Sequence, residues 1–347
     1  MGTRVRVVSA LVEGVSLRAT VRLTEVSRPA VTDLLLRVGE GCRCVLDATM
    51  RDLHCDALEL DEVWSFVGCK EGHLIEGLHP PEYGDQYTWV ALDARTRLVP
   101  VHRVAKRTPA AALAFAQELR ARVLGAPQIT TDGHKPYLEA IEQAFGRKVQ
   151  YAQILKTYHA DEAGGASRDD VRYSRGRVVR SVKRPITGAP DDAKISTSYV
   201  ERGNLTIRMQ QRRFTRLTNA FSKKLDNLKA AVALHFAHYN LCRVHMTLRV
   251  TPAMEAGLTD HVWSVEELIE AALAAYDAPP PPPLAGDLPC VHRADHLEPG
   301  PHQARGEPPR AGEQVDCSQG GLRVHPFSRT LPRPATAVSA SRCARSP

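Results

Sequence analysis

The stretch Leu58–Gly68, LELDEVWSFVG, constrains this chain more than any other. Aromatic and β-branched residues dominate it, and its side chains alternate with period two, so a strand is expected. Leu58, Leu60, Trp64 and Phe66 fall on one face, and Asp61, Val63 and Val67 on the other. An aspartate among apolar neighbours in a central strand is costly, because a buried carboxylate needs a partner. A divalent metal ion shared with acids further along the chain would supply that partner.

Two later acids are candidates. Asp132 follows the strand-like run Gln128–Thr131 in the sequence TTDG, where an aspartate can equally serve as a turn residue. Glu201 stands three residues after Ser198, so Ser-Tyr-Val-Glu can equally form a capping box at the start of a helix. Taken together with Asp61, the acids suit a metal site. Carboxylates gathered closely raise one another's pKa unless cations lie between them. Oxygen-only ligands favour Mg²⁺ or Mn²⁺ over zinc. Two such ions about 3.5–4 Å apart serve in-line displacement at a phosphodiester.

Basic residues follow the third acid. Arg208 lies seven residues, or about two helical turns, beyond Glu201 and is placed to bind a phosphate. Arg212, Arg213 and Arg216, with Lys223 and Lys224, extend a basic track suited to a DNA backbone, and a solvated helix surface is the plain alternative. Residues 147–224 contain 18 Lys and Arg against 7 Asp and Glu, so the formal +7 of the whole chain is concentrated there. Such an excess fits a polyanionic partner.

Around this centre the chain reads as three parts. Residues 1–46 predict three short helices, capped at Ser16 and Ser27, with Gly39 and Gly41 ending the third. A turn near Glu25–Ser27 matches a helix-turn-helix, whose second helix carries Arg28, Thr32 and Arg37 towards DNA. Residues 47–276 predict strands and helices in the order β-β-β-α-β-α-β, followed by further helices, which is an α/β architecture built on a mixed sheet. Within this part, 158–194 shows no periodicity and reads as a basic insertion. The stretch 277–347 opens on five prolines and holds more than half of the chain's 24, a composition expected to be disordered. No apolar run approaches a membrane span, and the eight cysteines show no zinc spacing, so free thiols in a cytoplasmic protein are expected.

The blocks LDEVWSFVG, TTDGHKPYLEAIEQAFG, STSYVERGNLTIRMQQRRFTRLTNAFSKK and HFAHYNLCRVHMTLRVTPAMEAG together resemble the DDE transposases of the insertion-sequence-one (IS-one-like) family, over about Arg4 to Ala275. The resemblance implies an RNase H-like core with Asp61, Asp132 and Glu201 as its metal-binding triad and Arg208 as the basic residue on the triad helix. It also implies an N-terminal helix-turn-helix that recognises terminal inverted repeats of double-stranded DNA, target DNA as a second substrate, and a homo-oligomer. The activity implied is metal-dependent cleavage and strand transfer. A DNA-binding repressor without catalysis, and a nuclease that never joins ends, are the alternatives. No spacing for the zinc module common in such proteins occurs here, and the interval from Asp132 to Glu201 is long.

Overall fold

The computed structural model describes residues 2–158, 178–215 and 218–278. Its centre is a six-stranded mixed sheet. The strands are β1 (Ala57–Val67), β2 (Gly84–Asp93), β3 (Val101–Ala105), β4 (Gln128–Asp132), β5 (Gln150–Tyr158) and β6 (Val178–Thr187), in the order β3-β2-β1-β4-β5-β6. β4 runs parallel to β1 and to β5, and the remaining neighbours pair antiparallel. The expected strand at LELDEVWSFVG is therefore present and central. A turn at residues 94–97 follows β2 and is closed by the Asp93 carboxylate, which accepts from Thr96 N at 2.9 Å and Thr96 Oγ1 at 2.6 Å.

Helices cover both faces. α4 (Pro109–Arg120) is capped by Thr108, and α5 (Pro136–Phe145) starts on a proline whose fixed φ suits a first turn. Their Phe115 and Tyr137 enclose Trp89 of β2, and all three are fully buried. Burying side chains of this size stabilises a core by about 2–3 kcal/mol each. The opposite face receives α6 (Ser198–Gln210), which packs on β1 and β2. Beyond it come α7 (Leu225–Ala237), the short α8 (Pro252–Glu255) and α9 (Val265–Asp277), the last started by a complete Ser264–Glu267 capping box.

The N-terminal helices are α1 (Gly2–Val12), α2 (Leu17–Thr24) and α3 (Arg28–Thr49), and Ser16 and Ser27 cap the second and third as expected. Gly39 and Gly41 do not end α3, which continues to Thr49. A Cβ on Gly39 would lie 2.4 Å from Ala230 O of α7, and one on Gly41 would lie 1.8 Å from Ala272 O of α9. The glycines let three helices approach closely, and that packing outweighs a penalty of roughly 1 kcal/mol per helical glycine. α3 therefore crosses residue 46 and shares a core with α7 and α9.

A second correction concerns 158–194. Val178–Thr187 pairs with β5 and forms the sixth strand. Its residues are mostly exposed on both sides, so no alternation of apolar and polar side chains marks it in the sequence. Residues 159–177 of that insertion, Arg216, and the tail from 279 lie outside the described residues. The described cysteines are free thiols. Among the described residues no helix is long and apolar enough to cross a membrane.

His235 of α7 is 2% exposed, and burial holds its pKa down to about 3. Unfolded, the same imidazole binds a proton near pH 6.5, so between these values the unfolded chain carries more protons than the folded one. The stability it allows above pH 6.5 is lost as pH falls towards 3. Relative to a His235→Gln variant, the wild type should lose about 1.4 kcal/mol per pH unit in this window. Urea unfolding of both proteins at several pH values checks this, and parallel curves would contradict it.

Candidate metal centre

The parallel pairing of β1 with β4 stops at Leu60 and Thr131, while β1 continues to Val67. Beyond the tip of β4 there is thus a gap beside β1. Asp61 and Glu62 leave β1 on opposite faces of the sheet, as neighbours on a strand must. Because no strand separates them on the β4 side, both carboxylates can turn into the gap, where Asp132 ends β4. One oxygen from each of Asp61, Glu62 and Asp132 lies within 4.8 Å of the other two.

Two of these acids match the expected set, and the third does not. Glu62 replaces Glu201 in the group. The side chain of Glu62 is 3% exposed, and burial, followed by the neighbouring charge of Asp132, pushes its carboxyl up to about 7. Arg107 opposes this from 3.0 Å, and it also reaches Asp132 at 3.7 Å. The Tyr137 hydroxyl lies beside Glu62, is fully buried, and is held far above its ordinary range by that burial. Asp132 also makes the turn that its sequence suggested, with Oδ1 accepting from His134 N at 2.9 Å.

Helix α6 meets β1 through residues that strand and helix patterns did not single out. Glu59, on the face of Asp61, accepts from Tyr199 N at 2.7 Å and from Val200 N at 2.9 Å. It satisfies backbone donors at the start of α6, where the helix dipole also favours negative charge. Burial raises its pKa against these donors. Further along the same helix, Asn204 is 3% exposed and donates from Nδ2 to Asp61 at 2.7 Å.

Glu201 stands one turn before Asn204. Its side chain is 45% exposed, and its Oε1 accepts from Thr197 Oγ1 at 2.8 Å and pairs with Lys156 of β5. The capping box with Ser198 is not made: Thr197 occupies the N-cap position, and Glu59 from β1 does the capping. Ser198 N donates to Ser196 Oγ instead.

The expected basic residues are spread over different environments. Arg208 is half-buried on α6, and Arg212 is exposed just after it. Arg213 turns inward, donates from Nε to Ser222 Oγ at 2.9 Å, and is held down to about 10 by burial. On α3, Arg28 is exposed, Thr32 bonds back to Arg28 O at 3.0 Å, and Arg37 lies over the Tyr276 ring at 5.7 Å.

The residues fit a divalent cation. Among the buried polar atoms without a hydrogen bond of good geometry, Glu62 Oε1, Tyr137 Oη, Asn204 Oδ1 and His134 Nε2 belong to these acids or to residues beside them, and others, such as Asp93 Oδ1 and Arg243 Nη1, lie elsewhere. Native interiors rarely leave such atoms orphaned, because each costs about 1–3 kcal/mol. An ion and its waters would satisfy them. The signals that could have found the missed residues are weak: Glu62 is hidden by alternation, and Asn204 by the acid one turn earlier.

No protein-family model matches the chain, and among curated proteins none matches it in sequence. Among solved structures, the piggyBac transposase synaptic complex with hairpin DNA superposes with a TM-score of 0.26 and 12% sequence identity. The match covers 63% of this chain and 52% of that one, so the chain spans about half the length of that structure's chain. A likeness of this size carries no weight for fold or function.

Proposed function

We propose that this chain is a transposase that cuts and joins DNA strands at the ends of a mobile element, using divalent metal. The observation that carries the reading is the convergence of Asp61, Glu62 and Asp132 at the end of β4. The sheet order, with parallel β1, β4 and β5 flanked by antiparallel strands, is compatible with an RNase H-like core. In this reading 47–276 is the catalytic part, 1–46 the helix-turn-helix part, and 277–347 a tail.

Asp61 and Asp132 would hold Mg²⁺ or Mn²⁺, with Glu201 as the acid contributed by α6. When bound, a pair of such ions supplies an activated oxygen nucleophile and neutralises the leaving oxygen of a phosphodiester. The protein's own residues do the rest. Asn204 orients Asp61 through its 2.7 Å hydrogen bond. Arg107 offsets part of the negative charge from 3.0 Å. Lys156, Arg180, Lys183 and Arg184, on β5 and β6, present cations to a DNA backbone along the strands that extend past Asp132. Arg208 and Arg212 extend that field on α6, and the exposed Arg28 at the start of α3 would meet duplex DNA separately.

The full chain incubated with DNA from either side of its gene should nick that DNA, and join the exposed ends to a second duplex, in Mg²⁺ or Mn²⁺ and not in EDTA. Gel analysis of end-labelled strands reads both steps. Binding of the same DNA without metal-dependent breakage would overturn the reading in favour of a repressor, and cleavage without joining would favour a nuclease.

A further inference from the structure

We propose that Glu62 is a direct ligand of the first divalent cation, together with Asp61 and Asp132, and that this cation binds without Glu201. The proposal rests on the metal-dependent reading and assigns a ligand set that the sequence pattern did not suggest.

Distance comes first. Oxygens on opposite sides of a Mg²⁺ or Mn²⁺ ion are about 4.2 Å apart, given bonds of roughly 2.1 Å. At most one pair of three ligand oxygens can be opposite in an octahedral shell, and the other pairs are about 3 Å apart, so the oxygens of Asp61, Glu62 and Asp132, which lie within 4.8 Å of one another, close around an ion by side-chain shifts on the order of 1 Å. Charge points the same way. Three carboxylates and the Arg107 guanidinium leave a deficit that one divalent cation balances.

The independent observation is the set of buried polar groups facing this place. Tyr137, 0% exposed, directs its hydroxyl towards Glu62 without a hydrogen bond of good geometry. Asn204, 3% exposed, holds Asp61 with its Nδ2 and leaves Oδ1 without a partner. Glu62 Oε1, on a side chain 3% exposed, is likewise without one. Neither Tyr137 nor Asn204 is an acid; they approach the carboxylates from opposite faces of the sheet, and buried polar atoms are rarely left unsatisfied in a native core. A hydrated cation accepts oxygen ligands and offers water donors, so it answers all three.

Glu201 has a different arrangement. It is engaged by Lys156 and Thr197 and stands outside the group. Its part in the reaction therefore comes after the first cation is seated, once Lys156 has another anion to pair with, such as a DNA phosphate.

The test is Mn²⁺ binding by the full-length protein without DNA, read from the EPR signal of free Mn²⁺, for wild type, Glu62→Gln and Glu201→Gln. Loss of a direct carboxylate ligand should weaken binding at least tenfold, by comparison with the roughly 10–100-fold cost of losing even an outer partner. Glu62→Gln should show that loss, and Glu201→Gln should bind within about twofold of wild type. Near-UV circular dichroism in EDTA checks folding, and Glu62→Asp, which keeps the charge and withdraws it by one methylene, should also weaken binding if the glutamine variant does not fold. Wild-type affinity in the folded Glu62 variants, or a loss confined to Glu201→Gln, would overturn the proposal while leaving metal-dependent cleavage intact. Absence of Mn²⁺ binding by the DNA-free wild type would overturn this proposal, and absence of metal-dependent cleavage of DNA would overturn the reading it rests on.

Discussion

The Asp61→Asn protein is expected to cleave DNA at least about 10³-fold more slowly than wild type at saturating Mg²⁺, with its fold unchanged. Metal stabilisation of a reacting phosphodiester is worth several kcal/mol, and each 1.36 kcal/mol is tenfold in rate. Asparagine keeps the shape of the side chain and still offers an oxygen to Asn204 Nδ2, 2.7 Å away in the wild type. What it removes is a negative charge beside Glu62 and Asp132. Like charges at that range repel, so the apoprotein should be at least as stable as wild type, and a drop in activity cannot be attributed to unfolding. Single-turnover nicking of labelled DNA gives the rate, and thermal unfolding in EDTA gives the stability. Near-normal cleavage by this variant would remove Asp61 from the centre.

Among the glycines of the described residues, Gly41→Ala should have the largest effect on stability, since its Cβ would meet another backbone most closely. Helix propensity alone predicts a gain of up to about 1 kcal/mol, since alanine replaces glycine inside α3. Packing predicts the reverse. The new Cβ would lie 1.8 Å from Ala272 O and 2.5 Å from Ala272 C, and both are backbone atoms that cannot rotate away. α3 and α9 must separate, and overpacking of this kind costs about 3 kcal/mol or more. Gly72→Ala is the control, because a Cβ there meets nothing within 4 Å, and it should change stability by less than about 0.5 kcal/mol. Denaturant midpoints decide the sign. A stabilised Gly41→Ala protein would mean that α3 and α9 do not pack as described.

The local pattern of the chain carried most of the fold. Caps at Ser16 and Ser27 are found where serine precedes apolar runs. β6 escaped because an exposed edge strand has no buried face to impose alternation. The length of α3 escaped because glycine in a helix is read as a breaker unless the facing helix is known.

The site divides along the same line. A costly aspartate on an apolar strand marks Asp61 as anomalous against its neighbours, whereas Asp132 at a strand end fits an ordinary turn, which it also makes, and is a candidate only in company with Asp61. Glu62 is next to Asp61 in sequence and on the other face of the strand, so only the end of β4 explains why the two carboxylates converge. The contact of Asn204 with Asp61, 143 residues away, and the engagement of Glu201 by Lys156 depend on how α6 lies across β1 and beside β5. The sequence by itself determined most strands and helices, β6 and the end of α3 excepted, and which acid has no local purpose, since those follow from side-chain periodicity and desolvation. Tertiary structure decided which acids meet, because that depends on where one strand stops beside another and on how closely glycines let the helices pack.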